Sequence, residues 1–280
     1  MNTMKYYLTK IQNIDPRFIQ LFNNIILMFF GYLYLDFNRD LMYLFPVFAF
    51  GVLLDWLFSR IWSSQRNQRT LRDRMISVLN TIVSIVTIIK FTNNNFYIVV
   101  ILVALLSKYL IVDENKNHIF NPANFGIIFA LIFVNEIPIR IIYNQFAGLN
   151  MYLFYFLILN GLLITYIARR MTLAFSFLIG SFVFFYSLSS IWGFPLSFLI
   201  GPTFSFSGML FTFFMITDPK TTPSAQFSQL IFGLFLALVS FLLRVNQYVH
   251  DVFVLLFLVT ALYKFYLQFF KLKIYRLKQI

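Results

Sequence analysis

The chain has 280 residues, of which 60% are hydrophobic and 11% are charged, and its formal net charge is +12. A soluble domain carries about 25% charged residues, so this composition excludes a soluble globular protein. Cysteine is absent, which excludes disulfides, thiolate metal sites and thiol nucleophiles. The sequence also contains no nucleotide-binding glycine loop, zinc-ligand spacing or serine-histidine-acid pattern, so it predicts no catalytic residue and no metal site.

Apolar segments close to membrane-spanning length recur along the chain and predict about ten transmembrane helices. The N-terminal residues are polar and basic and do not resemble a cleavable signal peptide. We therefore expect an all-α polytopic membrane protein that forms a single integral domain over residues 1–280. The ten predicted segments are residues 18–35, 41–61, 75–91, 96–112, 121–134, 151–168, 171–191, 195–216, 226–245 and 251–270.

The basic residues predict the orientation of these segments. When the loops are placed alternately inside and outside, 18 of the 22 Lys and Arg residues fall inside. The other four are Arg39, Lys90, Arg140 and Arg244. This positive-inside bias predicts a protein of the cell inner membrane with both termini cytoplasmic. The positive charge is thus explained by topology and indicates no nucleic-acid partner.

The fifth predicted segment is short and follows a polar turn. In this NPANFG motif, residues 121–126, Asn121 suits the N-cap of a helix and Pro122 suits its first turn. Asn124 and Gly126 follow on the same turn. A half-helix that begins in this way presents free amides and a partial positive charge to a ligand.

The eighth segment is interrupted by small and polar residues, among them Ser207 and Gly208, and it ends in a rigid turn. This TDPKTTP turn, residues 217–223, contains Thr217, Asp218 and Pro219. Breaks in both halves of a ten-helix protein are typical of inverted repeats with a site between them, here residues 18–134 and 151–270. Prolines and glycines that merely kink helices are the alternative explanation.

The sequences HIFNPANFGI and SGMLFTFFMITDPKTTP, followed by LIFGLFLALVSFLLR, resemble the RnfD and NqrB membrane subunits of ion-pumping electron-transport complexes. They resemble still more the stand-alone RnfD-like proteins encoded beside enediyne biosynthesis genes. The similarity extends from about residue 15 to the last segment. It implies a flavin-associated protein of electron transport, with two inverted five-helix repeats similar to those of urea and ammonium transporters.

The chain departs from this family at the flavin attachment site. RnfD and NqrB carry covalent flavin mononucleotide (FMN) on the last threonine of a Ser-Gly-Ala-Thr-like motif, whereas Ser207-Gly208 is followed here by Met209-Leu210. We therefore expect no covalent FMN and leave open a non-covalent flavin. The matching motifs assign these cofactor-binding positions: Asn121, Pro122, Asn124, Gly126, Ser207, Gly208, Thr217, Asp218, Pro219 and Thr221.

The TDPKTTP turn is expected to meet the NPANFG motif on the cytoplasmic side and to bind a planar polar ring such as an isoalloxazine. In this hypothesis Asn124 or backbone amides meet the ring carbonyls, and Thr217 or Asp218 meets its ring N–H. The alternative is that Asp218 only caps the next helix, whose first residues include Gln226.

Some charged and polar residues lie within or beside the predicted segments. Asp55 is either functional or paired with the nearby Arg60. Arg244 and Lys264 are expected to extend outward and inward, respectively, to reach the membrane surface. The two histidines, His118 and His250, fall on opposite sides and are interpreted as interfacial residues, which excludes a haem held by both.

Three functions are compatible with the sequence. The first is an RnfD-like subunit in flavin-linked electron transport, a non-catalytic membrane subunit of an oxidoreductase whose electron donor is a partner protein. The second is a small-solute or ion channel or transporter on the same inverted-repeat scaffold, since fold does not fix function. The third is a scaffold subunit without a ligand.

Overall fold

The computed structural model of the chain describes residues 15–34, 41–62, 70–91, 93–114, 117–133, 140–141, 151–246 and 251–277. The regular structure in this part is almost entirely helical, which confirms the predicted all-α class. The helices are α1 (Pro16–Tyr34), α2 (Leu41–Ile61), α3 (Leu71–Ile88), α4 (Asn95–Leu110), α5 (Pro122–Phe133), α6 (Met151–Ile167), α7 (Met171–Trp192), α8 (Leu196–Phe204), α9 (Phe206–Leu210), a π-helical turn (Phe211–Met215), α10 (Gln226–Val245) and α11 (Asp251–Leu277).

Three of these helices are long and apolar enough to cross a membrane, within the residues described: Met42–Ile61, Met171–Ile191 and Gln226–Val245. Shorter apolar helices lie between them, such as Asn95–Leu110 and Pro122–Phe133. Many large apolar side chains are exposed on the helices, as lipid contact requires. The chain is thus compatible with a membrane protein, while the number of crossings and the repeats stay predictions.

Local sequence signals set the ends of several helices. Thr70 caps α3, because its side-chain oxygen accepts a hydrogen bond from the Asp73 amide at 3.2 Å. α5 begins at Pro122, and Asn121 Oδ1 accepts from the Asn124 amide at 3.2 Å, which confirms the predicted N-cap. α7 ends at Gly193, whose φ of 72° is in the left-handed region that favours glycine.

The eighth predicted segment is broken, as its composition indicates. α8 stops at Ser205, where the backbone is extended, and the chain continues through α9 into the π-helical turn. A side chain at Gly208 would place its Cβ 2.1 Å from the carbonyl oxygen of Thr203. Glycine is therefore required where α9 approaches the backbone at the end of α8.

Small residues allow the closest helix contacts. α7 and α10 pack along each other, and a Cβ at Gly233 would meet Ser176 Oγ at 2.0 Å and the Leu173 carbonyl oxygen at 2.7 Å. Gly126 has the same role between α5 and α4, where an added Cβ would lie 3.0 Å from Ala104 Cβ. Close backbone approach of this kind is typical of helix pairs in membranes.

Two two-residue strands, β1 (Ile89–Lys90) and β2 (Arg140–Ile141), form an antiparallel ladder. The ladder pairs Lys90 with Arg140, two of the four basic residues that the sequence assigns to the outside. Their proximity agrees with a shared side for these two loops. Which side faces the cytoplasm stays a prediction. His250 and residues 63–69 of the basic loop lie outside the described part of the structure.

Asp55 is buried and paired, but its partner is not Arg60 as the sequence suggested. Asp55 Oδ1 accepts from Lys108 Nζ at 2.9 Å and from Tyr109 Oη at 2.7 Å, and Oδ2 lies 3.6 Å from Arg74 Nη2. Arg60 instead lies over the Trp56 ring. The nearest basic residue in sequence was the wrong choice because α2 packs against α3 and α4, which bring Arg74 and Lys108 to the carboxylate.

Arg244 also differs from its predicted placement. It is 8% exposed, and its Nη1 donates to the Leu199 carbonyl at 2.6 Å and to Thr203 Oγ1 at 2.9 Å. It thereby joins α10 to α8 instead of extending outward. Lys264 is held in a similar way, because its Nζ lies 3.1 Å from Asp113 Oδ2 and 3.4 Å from the Lys220 carbonyl oxygen.

Candidate functional site

Residues of the NPANFG motif and of the TDPKTTP turn line the same cavity. The cavity has a volume of about 440 Å³. Residues 121–123 and 217–220 contribute to its wall, together with the starts of α1 and α3 and the end of α6. His118, just before the NPANFG motif, places its Nε2 3.4 Å from Asp218 Oδ2 in the TDPKTTP turn.

The TDPKTTP turn is folded around Asp218. The Asp218 carboxylate accepts from the Lys220 amide at 3.0 Å. Its carbonyl oxygen accepts from the Thr221 amide at 3.2 Å and from Thr222 Oγ1 at 2.7 Å. The N-cap of α10 is Ala225, which makes no side-chain capping bond. Asp218 therefore organises its own turn, and the alternative that it caps the next helix is not observed.

Arg170, between α6 and α7, holds the TDPKTTP turn in place through hydrogen bonds. Its guanidinium donates to Thr222 Oγ1 and to the Pro219 carbonyl, both at 3.2 Å, and to the Arg169 carbonyl at 3.2 Å. Burial lowers the pKa of Arg170, and the negative charge of Asp218 opposes that effect. Because an arginine stays protonated at neutral pH even so, the turn is held by charge-assisted hydrogen bonds.

The start of α1 forms another wall of the cavity. Arg17 Nη2 contacts Asp15 Oδ2 at 2.5 Å and Asp73 Oδ1, on α3, at 3.2 Å. Asn80, also on α3, donates from Nδ2 to the Arg17 carbonyl at 2.7 Å. Gln20 Nε2 donates to the carbonyl oxygen of Phe214 at 3.3 Å, in the π-helical turn. α1, α3 and the broken eighth segment are thus joined at the cavity.

The cavity wall carries three carboxylates, those of Asp15, Asp73 and Asp218. Burial by itself would raise the pKa of Asp218, but the hydrogen bond and charge of His118 and the Lys220 amide outweigh it and lower the pKa to about 2. The pKa of Asp15 is lowered too, because the bonds from Arg17 outweigh its burial. At neutral pH these groups are therefore hydrogen-bond acceptors.

One buried polar atom of the wall is available to a ligand. Asn80 is 8% exposed, and its Oδ1 has no hydrogen-bond partner among the described residues, whereas its Nδ2 is occupied by Arg17. An unsatisfied buried carbonyl costs free energy unless a donor reaches it. A ligand N–H or O–H in the cavity is a suitable donor.

The other predicted site residues have different neighbours. Asn124 points away from the cavity, because its Nδ2 donates to the Phe253 carbonyl of α11 at 3.2 Å. Thr217 lines the cavity, but its hydroxyl donates to the Phe213 carbonyl at 2.5 Å. Thr221 is buried within the turn and donates to the Asp218 carbonyl at 3.3 Å.

Two predicted residues, Gly126 and Gly208, lie in helix contacts away from the cavity wall. Gly126 packs against α4, and Gly208 lies at the break between α8 and α9. Ser207 is also in α9, and its side chain lies outside the described part of the structure. The predicted positions that line the cavity are therefore Asn121, Pro122, Thr217, Asp218 and Pro219.

Sequence reasoning missed the polar face of α3. Asp73, Ser77, Asn80, Thr81 and Ser84 all line the cavity. Apart from the adjacent pair Asn80 and Thr81, they are three or four residues apart, and this spacing was a detectable signal of a polar helix face in a segment predicted to span the membrane. His118 was missed as well, because a single histidine beside a turn has no sequence pattern that assigns its partner.

Neither protein-family models nor curated proteins give a match to this chain.

Proposed function

We propose that the chain is an RnfD-like membrane subunit that binds a flavin non-covalently in the cavity and takes part in electron transport. The observation that supports this proposal is the junction of the NPANFG motif with the TDPKTTP turn, the two motifs on which the resemblance rests, around one cavity of about 440 Å³. Ligand pockets in proteins commonly have volumes of about 300–1,000 Å³.

The residues of the cavity fit an isoalloxazine ring. The Asp218 carboxylate and Asn80 Oδ1 are acceptors suited to a ring N–H. Phe214, Ile164 and Ala168 supply apolar wall against which a ring face can pack. When bound, a flavin supplies reversible electron transfer, and this chain's residues bind and orient the ring and shield it from water.

The charges of the wall favour a flavin without a phosphate group. Three carboxylates face two permanent cations, Arg17 and Lys220, together with His118. Arg17 is already paired with Asp15 and Asp73. A phosphate dianion would therefore add negative charge where little positive charge remains to balance it.

We also propose ten crossings in two inverted five-helix repeats, with both termini cytoplasmic in the inner membrane and a redox partner protein as electron donor. Support comes from the breaks at Asn121-Pro122 and at Ser205, one in each half of the chain. The absence of cysteine in the sequence means that the chain cannot itself bind a Cys-ligated iron–sulfur cluster.

The test is an absorption spectrum of the purified protein, in which a flavin band in the blue region is expected. Asp218→Asn and Asn80→Ala should lower the amount of bound flavin. Asn124→Ala is the matched control, because its amide contacts Phe253 and not the cavity, and it should retain flavin even if it melts earlier. A wild-type protein without flavin, or site variants that fold and keep full occupancy, would refute the proposal.

The flavin is expected to be non-covalent, because the acceptor threonine is missing after Ser207-Gly208. A denaturing gel under ultraviolet light should show no fluorescent band at 33.2 kDa, even when the flavin-attaching enzyme is co-expressed. A fluorescent band at that mass would contradict this expectation.

A small-solute or ion pathway is the second candidate, favoured by two buried asparagines of α1 that follow the residues lining the cavity. Asn23 is fully buried, and neither polar atom of its side chain has a hydrogen-bond partner among the described residues. Asn24 Nδ2 donates to Ser84 Oγ at 3.3 Å. A pathway would be supported by solute flux into vesicles that contain the protein, if that flux is lost in Asn23→Leu. Absence of flux in the wild type would rule out the pathway and leave flavin binding as the remaining proposal.

A further inference from the structure

A second cavity lies between α2 and α3, apart from the flavin cavity. It has a volume of about 540 Å³ and is apolar over most of its wall. Phe45, Leu53 and Leu71 line it and are 77%, 52% and 71% exposed. The cavity is therefore a groove that opens to the outer surface of the helices.

The groove has one polar end. Asp55, Trp56 and Arg74 line it there, next to the connection between α2 and α3. From Phe45 to Trp56 the groove follows 12 residues of α2, which rise by roughly 17 Å at 1.5 Å per residue step. This is close to the thickness of one leaflet, since the hydrocarbon core of a bilayer is about 30 Å thick.

The polar end carries excess positive charge. Arg74 and Lys108 both contact Asp55, and Lys108 is the closer of the two, at 2.9 Å against 3.6 Å. Among the described residues, Asp55 is the sole carboxylate within 4.0 Å of Arg74. The Nε of Arg74 is buried without a hydrogen-bond partner in this part of the chain. Arg60 lies over the ring of the lining residue Trp56, 5.5 Å from its centroid, and adds a further positive charge beside the groove.

We propose that this groove binds an anionic phospholipid, with one acyl chain along α2 and α3 and the phosphate at Arg74. The Arg74 guanidinium, whose Nη2 donates to Ser59 Oγ and to the Asp55 carbonyl oxygen, attracts the phosphate through its positive charge. The apolar wall buries the acyl chain, and Trp56 at the polar end is the kind of amphipathic ring that favours the headgroup region. Basic pockets between membrane helices are a common form of lipid recognition.

The occupant is a lipid because the groove combines three features. It opens where large apolar side chains are exposed, its length is close to the thickness of one leaflet, and its polar residues are confined to one end. A water-soluble anion would use the charge and leave the apolar wall unfilled. A neutral lipid would fill the wall but leave one carboxylate, Asp55, to balance both Arg74 and Lys108.

The test is native mass spectrometry of the full-length protein, delipidated in detergent and mixed with equal amounts of dioleoyl phosphatidylglycerol and dioleoyl phosphatidylcholine. We expect one retained phosphatidylglycerol, bound roughly tenfold more tightly than phosphatidylcholine, as one charge-assisted contact provides. Arg74→Gln should abolish this preference. Arg72→Gln is the charge-matched control, because Arg72 lies over the Phe18 ring and does not line the groove.

A second pair of variants tests the apolar wall. Ala49→Phe should block the groove and remove the retained lipid, since Ala49 lines it. Val183→Phe adds the same ring at an exposed position on α7 and should have no effect. If Arg74→Gln does not fold, this pair alone decides. Equal retention of the two lipids, equal loss in Arg72→Gln and Arg74→Gln, or full retention in Ala49→Phe would overturn the proposal.

Discussion

Arg170 provides the sharpest test of how the TDPKTTP turn is held. Replacing it with methionine keeps the apolar part of the side chain and removes the guanidinium. The variant loses hydrogen bonds of 3.2 Å to Thr222 Oγ1 and to the carbonyl oxygens of Pro219 and Arg169. Because Arg170 is 5% exposed, water cannot easily replace these bonds.

Each buried group left without a partner costs about 1–3 kcal/mol, and partial relaxation of the turn recovers part of the sum. We therefore expect the free energy of unfolding to fall by about 3 kcal/mol. At about 2–4 °C per kcal/mol, the melting temperature should fall by roughly 6–12 °C in a thermal unfolding assay in detergent. The flavin content should fall as well, because Asp218 and Pro219 would no longer be fixed at the cavity.

Arg169→Met is the control for Arg170→Met. Arg169 is the neighbouring residue, carries the same charge and has an exposed side chain. Its replacement removes one positive charge from the same loop, as Arg170→Met does. It should shift the melting temperature by no more than about 1–2 °C, as expected for a surface substitution. If both variants melt at the same temperature, the role assigned to Arg170 is refuted and only the loop charge matters.

Three further predictions concern protonation, packing and topology. The pKa of Asp218 is lowered to about 2, so the carboxylate contributes about 2 kcal/mol to the free energy of unfolding above pH ~4. This contribution is lost as the pH falls toward 2. The melting temperature of Asp218→Asn should therefore depend less on pH in that window than that of the wild type. Gly208→Ala should destabilise severely, because the new Cβ would lie 2.1 Å from a carbonyl oxygen, whereas Gly201→Ala meets nothing within 4 Å and should be tolerated. In this naturally cysteine-free chain, a cysteine at Ser224 should be shielded from an impermeant external reagent and one at Asn94 should react.

Each of these three has a clear contrary result. An identical pH dependence of melting in wild type and Asp218→Asn would show that the carboxylate is not selectively stabilised in the folded state. Equal stability of the two glycine variants would mean that the break after α8 does not need glycine. Labelling at Ser224 from outside would reverse the predicted orientation.

The sequence by itself determined the all-helical class of the chain and the positions of several structural signals. Its apolar composition predicts a membrane protein, because in a medium without water helices satisfy their own backbone hydrogen-bonding groups. Local chemistry fixed features such as the N-cap at Asn121 and the break around Gly208, because capping and close backbone approach depend on residues near each other in the sequence.

The tertiary structure decided the partners of the polar groups. Asp55 pairs with Lys108, 53 residues away, and Arg244 contacts Leu199, 45 residues away. The sequence suggested Arg60 for the first and an outward extension for the second, because sequence distance was the one measure available. In an apolar surrounding a buried charge requires a partner, and helix packing determines which partner it meets.

The candidate site shows the same division. The two motifs were identified from their prolines, glycines and polar residues, and their meeting at one cavity depends on the packing of α1, α3 and the broken eighth segment. Asn124 and Asn80 are both buried asparagines whose Nδ2 donates to a backbone carbonyl and whose Oδ1 has no partner among the described residues, yet of the two Asn80 alone lies at the cavity wall. Local sequence does not distinguish them, because the packing of the neighbouring helices decides whether a side chain faces the cavity or another helix.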